Sequence, residues 1–115
     1  MFITVQLLDG QENSWLAAER ELPADYMLKV AAEREPIVKE KGTKFAQDAI
    51  PVLASELVSV AKGNGSDSEI EKAILDLALT VLVVERHMGM KDEVLKASRF
   101  ALTVFENGMV RYDRT

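Results

Sequence analysis

The chain contains no cysteine and only one histidine, His87. Without cysteine it can form no disulfide, no thiolate zinc site, no iron–sulfur cluster and no cysteine nucleophile. One histidine cannot build a multi-histidine metal site. Its position at the end of a predicted helix favours a dipole-complementary cap over a general base. These two absences exclude many of the common catalytic and metal-binding arrangements.

Motifs for phosphate binding and for membrane insertion are also missing. Gly63-Asn64-Gly65 precedes a predicted helix without the preceding strand that a nucleotide-binding loop requires. The most apolar run, Ala73–Val84, has 12 residues and includes Asp76, whereas a membrane-spanning helix needs about 20 apolar residues. The N-terminus lacks the basic region of a signal peptide. We therefore predict a soluble, cytoplasmic protein without a membrane partner.

The composition is that of an ordinary globular chain. With 115 residues, 48% of them hydrophobic, the chain is long enough for one domain with its own core. We predict a single domain over residues 1–115. The formal net charge of -5 disfavours a general electrostatic grip on nucleic acid, so a nucleic-acid partner is not expected.

Helical spacing dominates the pattern after a short N-terminal strand. Met1–Leu8 is strand-like and ends at an Asp9-Gly10 turn signal. We expect this strand to pair with the C-terminal Met109–Tyr112 or with a second copy of the chain. Capping residues, breaks and spacings of three and four predict helices over the rest of the chain. They cover Trp15–Glu21, Tyr26–Glu35 with a resumption over Ile37–Lys41 after Pro36, Lys44–Lys62, Asp67 to Arg86, and Lys91–Glu106. The predicted fold is mainly α: a small bundle of three to four helices with a short N-terminal strand, for which the C-terminal tail is a candidate partner.

One segment admits a second interpretation. Leu102–Phe105 and Met109–Tyr112 flank Asn107-Gly108, which is a strong hairpin signal. A polar stripe of helical spacing extends back to Lys91 and favours the helix. We therefore prefer a helix over this region and keep the hairpin as the alternative.

The central element is predicted to be Ala73–Val84, because a helix that is apolar nearly all round must be covered on every side or lie at a subunit interface. Asp76 is the one carboxylate in this run, and it would be costly to bury unpaired. It pairs with Lys72 four residues earlier or faces a polar pocket or an ion. Asp76, Glu56 and Glu40 are the candidates for Mg²⁺ or Mn²⁺ ligands.

Residues Glu71 to Arg114 resemble the C-terminal half of the all-α nucleoside triphosphate pyrophosphohydrolases, in which an acidic helix, a glycine-containing turn and a second helix precede a basic aromatic tail. Asp76, His87–Met90, Asn107 and Arg111 fill those places. The resemblance implies an all-helical fold and Mg²⁺-dependent chemistry on nucleotides. The chain departs from the pattern at Ala73, where the family has a metal-binding glutamate, and it lacks the family's upstream cluster of three glutamates.

The function that the sequence favours is a small acidic, non-enzymatic protein-interaction module, expected to be a homodimer without a cofactor. The candidate interface or pocket residues are Trp15, Tyr26, Phe45, Asp76, Met88 and Met90. Two alternatives stay open. One is a metal-dependent nucleotide hydrolase of all-α type. The other is a small-molecule sensor, which predicts an empty, ligand-sized cavity between helices.

Overall fold

The computed structural model describes residues 1–114, and the side chains of Trp15, Leu16 and Thr43 lie outside that description. It has an α+β fold with four helices and a four-stranded mixed sheet, so the predicted mainly helical bundle is wrong. In chain order the elements are β1 (Phe2–Leu8), β2 (Ser14–Glu21), α1 (Ala24–Lys41), α2 (Thr43–Lys62), α3 (Asp67–His87), α4 (Asp92–Ala97), β3 (Phe100–Phe105) and β4 (Val110–Arg114).

The sheet has the strand order β2-β1-β3-β4, with two outer hairpins joined by a parallel pair, β1 and β3. Each central strand buries every second side chain against the helices and leaves the others half-buried on the open face, except that Leu8 at the end of β1 is also buried. The predicted N-terminal strand is confirmed, but its expected partner is wrong. The strand pairs with β2 and β3, and β3 separates it from the C-terminal β4.

Residues 15–21 were predicted to be helical, but they form most of the strand β2. A tight loop precedes this strand: the Asp9 carboxylate accepts hydrogen bonds from the backbone N–H groups of Gln11 and Asn13. The loop turns the chain back along β1, where Leu7 lies opposite Leu16 and Ile3 opposite Arg20. Pairing with a buried neighbouring strand therefore overrides the helix preference of Ala, Glu and Arg in this segment.

A second correction concerns the predicted helix over Lys91–Glu106. Helix α4 ends at Ala97, and residues 100–105 form β3 instead. Phe100, Leu102 and Val104 are all fully or almost fully buried, which is the period-two pattern of a strand with one covered face. The hairpin kept as the alternative is thus the correct interpretation, with Asn107-Gly108 in its turn.

The remaining helices agree with the prediction apart from their limits. Helix α1 continues through Pro36 without a break. It ends at Lys41, and Gly42 follows with a φ of 87°. Helix α2 covers the predicted segment and includes Pro51. Both prolines are exposed, so their rings do not displace core side chains.

Helix α3 is the centre of the helical layer and packs against α1 and α2. The Ser66 hydroxyl accepts from the Glu69 N–H, and the Glu69 carboxylate accepts from the Ser66 N–H, which closes a capping box at its start. From Leu77 to Glu85 every residue except Thr80 is buried. The expectation that this run forms the central element is confirmed, and one chain covers it. Among the helices described, none is both long and apolar enough to cross a membrane.

Candidate functional site

Strand β4 lies at one edge of the sheet: it pairs with β3, and no other strand within residues 1–114 pairs with it. The Phe105 N–H donates to the Met109 carbonyl at 2.8 Å, so Phe105 and Met109 form a hydrogen-bonded pair. Hydrogen-bonded and non-hydrogen-bonded pairs alternate along an antiparallel ladder. The odd-numbered residues of β4 therefore continue the bonding to β3. The backbone N–H and C=O groups of Val110 and Tyr112 point away from it. This edge consequently presents backbone donors and acceptors that another strand can use.

The turn between β3 and β4 fixes one end of this strand on α2. Gly108 has φ 89°, and the Gly108 N–H donates to the Phe105 carbonyl at 2.8 Å. A side-chain Cβ at Gly108 would lie 2.9 Å from the Ser55 hydroxyl oxygen, so the turn backbone approaches α2 very closely. Glu106 in the same turn forms an ion pair with Lys62 in the last turn of α2. The turn is therefore held against two points of the helix.

A buried ion pair holds the other end of β4. The Arg114 guanidinium donates to both oxygens of Glu85, at 2.5 and 2.8 Å. The Glu85 side chain is only 5% exposed and that of Arg114 10%. Arg114 also donates to the Ser98 hydroxyl at 3.1 Å and lies 4.6 Å above the Phe100 ring. Since Glu85 belongs to the central helix, the last turn of α3 positions the end of the edge strand.

Between these two attachment points a groove opens between β4 and α2. Its volume is about 490 Å³. Val84 of α3 is almost completely buried and contributes to the lining, while α2 and β4 supply apolar side chains on either side. The other lining residues are Gln47, Ile50, Pro51, Asn107, Gly108, Met109, Val110 and Tyr112. This groove follows the same strand whose backbone groups face outward.

The helix-side surface at this edge is apolar and accessible. On this side of the sheet Tyr112 is 39% exposed. The Tyr112 ring contacts the Phe100 ring at a centroid distance of 6.1 Å, so its base is anchored in the core while its outer part lines the groove. An added strand would therefore meet both backbone groups and an apolar surface.

The opposite face of β4 is charged. Arg111 and Asp113 lie on the open face of the sheet and are exposed, and the Arg111 guanidinium lies 6.0 Å from the centre of the Phe105 ring. They stand across from Thr103 and Ala101 of β3, so neither faces a charge on its neighbouring strand. Arg111 and Asp113 precede and follow Tyr112 in the strand, so the open face of β4 carries one positive and one negative side chain.

The structure brings together two of the three suggested metal ligands. Glu56 of α2 and Asp76 of α3 line one pocket of about 190 Å³, together with Lys72. Glu40 lies in the last turn of α1 and does not line it. Asp76 is half-buried, and its backbone carbonyl accepts from the Thr80 hydroxyl at 3.0 Å. Within residues 1–114 no group of three or more acidic or histidine side chains is arranged to hold a metal ion.

The predicted interface residues are dispersed over the surface. Tyr26 on α1, Phe45 on α2 and Met88 after α3 are 57%, 49% and 68% exposed. The Lys41 ammonium lies 4.8 Å from the centre of the Phe45 ring. Met90 is partly buried against the core. The prediction for the Trp15 side chain lies outside the described residues.

Among these residues, those whose side chains the structure describes do not line the groove beside β4, and the sequence interpretation missed this groove. The signal that could have revealed it was the hairpin at Asn107-Gly108. That hairpin makes residues 110–114 a strand, and the side of this strand that faces away from β3 is the sheet edge. The preferred helix over Lys91–Glu106 leaves out β3, so Met109–Tyr112 is expected beside the N-terminal strand rather than as the outer strand of a hairpin.

Comparison with protein-family models, with curated proteins and with solved structures finds no match for this chain. The C-terminal half also departs from the all-helical fold that the resemblance to the pyrophosphohydrolases implied. Residues 100–114 form strands β3 and β4 where that family would place a helix and its tail.

Proposed function

We propose that the protein is an interaction module that binds an extended polypeptide segment along the edge of β4. The observation that carries this proposal is the coincidence of two features. Backbone groups of Val110 and Tyr112 face outward at the sheet edge, and an apolar groove of about 490 Å³ follows the same strand. Addition of a strand to such an edge gains main-chain hydrogen bonds, and pockets for alternate side chains supply specificity.

The construction around the groove supports this function. Strand β4 is fixed at its turn by contacts with α2 and at its end by the Glu85–Arg114 pair. A rigid edge needs little reorganisation before a partner binds, which lowers the entropic cost of association. The contacts at the turn also hold α2 beside β4, so the groove exists before any partner arrives.

A random-peptide display library selected on the purified protein tests the proposal. We expect selected peptides to protect the amide hydrogens of Val110 and Tyr112 from exchange when they bind. Val110→Pro should abolish their binding, because it removes an outward-facing donor at the first position of β4 without removing a bond to β3.

Glu19→Pro on the opposite edge strand is the matched control. Leu22 and Met1 exchange backbone hydrogen bonds at 2.8 and 3.0 Å, so the Glu19 N–H also points away from its paired neighbour, β1. This variant should bind the selected peptides as the wild type does. Peptides that bind elsewhere, or that bind equally to Val110→Pro, would show that β4 is not the binding site.

The groove volume of about 490 Å³ also lies in the range of small-molecule pockets. The sensor alternative predicts such a space between helices, and the groove lies between a helix and an edge strand instead. A strand-binding function uses both the groove and the outward backbone groups, whereas a small ligand would use only the groove.

A further inference from the structure

We infer that the segment bound along β4 is β4 of a second copy of this chain, arranged antiparallel about a two-fold axis at Tyr112. This inference rests on the proposed strand-binding edge and names its partner. It follows from the charge pattern of β4 and from the alternation of its backbone groups. The result would be a homodimer with a continuous eight-stranded sheet, formed from two four-stranded sheets.

The backbone alternation limits the possible registers. Only Val110, Tyr112 and Arg114 direct their N–H and C=O groups away from β3, so a second β4 must bond through these even-numbered residues. Centring the two-fold axis on Tyr112 places the two Tyr112 residues as a hydrogen-bonded pair. It also places each Val110 opposite the Arg114 of the other copy, so all outward backbone groups of β4 have a partner.

The charges then select among the registers. With the axis at Tyr112, each Arg111 stands opposite Asp113 of the other copy, and both lie on the open face of the sheet. These are non-hydrogen-bonded positions, where cross-strand side chains are closest. Centring the axis on Arg111 would place two arginines opposite each other. Centring it on Asp113 would place two aspartates opposite each other. Like charges directly opposite are destabilising, so the sequence Arg111-Tyr112-Asp113 is complementary to itself in one of the three registers.

The same arrangement also uses the helix-side surface. A two-fold axis perpendicular to a continuous sheet keeps both helical layers on one face. The two Tyr112 rings would then meet between the two grooves that lie beside β4. Each copy would cover part of the apolar lining of the other copy's groove. The dimer would thus cover the exposed part of Tyr112 and also provide partners for the outward backbone groups.

Sedimentation velocity from micromolar to millimolar protein concentration tests the inference with three variants. Arg111→Asp puts an acidic residue opposite each Asp113 of the dimer, and Asp113→Arg puts an arginine opposite each Arg111. Each should raise the dimer dissociation constant by about tenfold or more. The double variant Arg111→Asp with Asp113→Arg restores opposite charges at both pairs. It should return the dissociation constant to within about threefold of the wild type.

Glu19→Arg is the control matched to Asp113→Arg, because it makes the same charge change at an exposed residue on the open face of β2. It should leave the dissociation constant unchanged. Far-ultraviolet circular dichroism of each variant establishes that the fold is retained, which we expect because all three substituted side chains are exposed.

Three outcomes would overturn the inference: a monomer at every concentration, a dimer that both single variants leave intact, or a double variant as weak as the single ones. Other results decide whether the proposed strand-binding function is wrong. A monomer that still binds library peptides along β4 keeps the strand-binding function and refutes only the self-pairing. A dimer insensitive to Val110→Pro, with no peptide bound at β4, refutes both.

Discussion

Removing the Arg114 guanidinium should destabilise the fold far more than removing an equally close surface arginine. In the Arg114→Met variant, the Glu85 carboxylate keeps its place at the end of α3 but loses both of its charged hydrogen bonds. Its side chain is 5% exposed, so water cannot replace the lost donors without a local rearrangement. The variant therefore leaves a buried charge without a partner.

The expected cost follows from this burial. Breaking a buried ion pair by removing one partner costs about 3–5 kcal/mol. Arg114 is the last residue of β4, where the backbone rearranges at a smaller cost than in the core, so we expect a value of about 3 kcal/mol, near the lower limit of that range. For a denaturant slope of about 1.5 kcal/mol per molar urea, the unfolding midpoint should fall by about 2 M.

Urea unfolding at one fixed protein concentration measures the effect, with Arg20→Met as the control. Arg20 pairs with Glu71 at the same 2.5 Å distance, but their side chains are 41% and 54% exposed. The control should cost less than about 1 kcal/mol. The double variant Glu85→Met with Arg114→Met should recover most of the loss, because it leaves no unpaired buried charge. A cost for Arg114→Met no larger than that of the control would refute the reasoning.

Three further predictions concern the turns and the surface. Ser66→Ala removes the acceptor of the capping box at the start of α3 and should lower the free energy of unfolding by about 1 kcal/mol in urea titrations. Gly108→Ala adds a Cβ at φ 89° and 2.9 Å from the Ser55 hydroxyl, and it should cost about 1–2 kcal/mol in the same assay. The hydrogen bond and charge of Lys96 hold the pKa of Asp25 below its ordinary value of 3.8. Lys96→Gln should raise this pKa toward 3.8 in a nuclear magnetic resonance titration. The stabilisation by the pair is present above the ordinary pKa and is lost as the pH falls through the lowered one.

The sequence predicts the elements whose local signals and burial agree. For helix α3, a predicted start near Asp67 and an apolar run that must be covered both point to a central helix, and the structure shows its capping residue to be Ser66. Residues 44–62 show spacings of three and four that end at Gly63, and α2 follows them closely. In β1, the apolar run meets a turn signal at Asp9-Gly10. In these segments the backbone preference and the tertiary environment favour the same structure.

The two wrong segments are those in which tertiary pairing determines the structure. Residues 15–21 contain Ala17, Ala18 and Glu19, which favour a helix locally, and only their position beside β1 makes them a strand. Residues 100–105 satisfy both a helical stripe and a period-two pattern. The pairing of Phe100 with Arg114 and of Ile3 with Phe100 decides between them. Both choices depend on partners distant in sequence, which a local pattern does not contain.

The candidate site could not be found from single residues for the same reason. Asp76 and Glu56 were selected as carboxylates within apolar helices, and the structure does place them at one pocket between α2 and α3. The groove beside β4 depends instead on the position of a strand edge relative to a helix. Its residues Ile50, Pro51 and Tyr112 have no unusual local pattern, and they become a surface only when the hairpin folds onto α2.

The measurement that tests this account most directly is amide hydrogen exchange at the four consecutive residues 110–113, followed over a range of protein concentrations. The account predicts that Arg111 and Asp113 are protected at every concentration, because they bond to β3. Val110 and Tyr112 should exchange rapidly in dilute protein and become protected as the concentration rises and the second copy pairs. If Val110 and Tyr112 stay unprotected at the highest concentration, while Arg111 and Asp113 are protected, β4 remains a free edge and the proposed self-pairing is wrong.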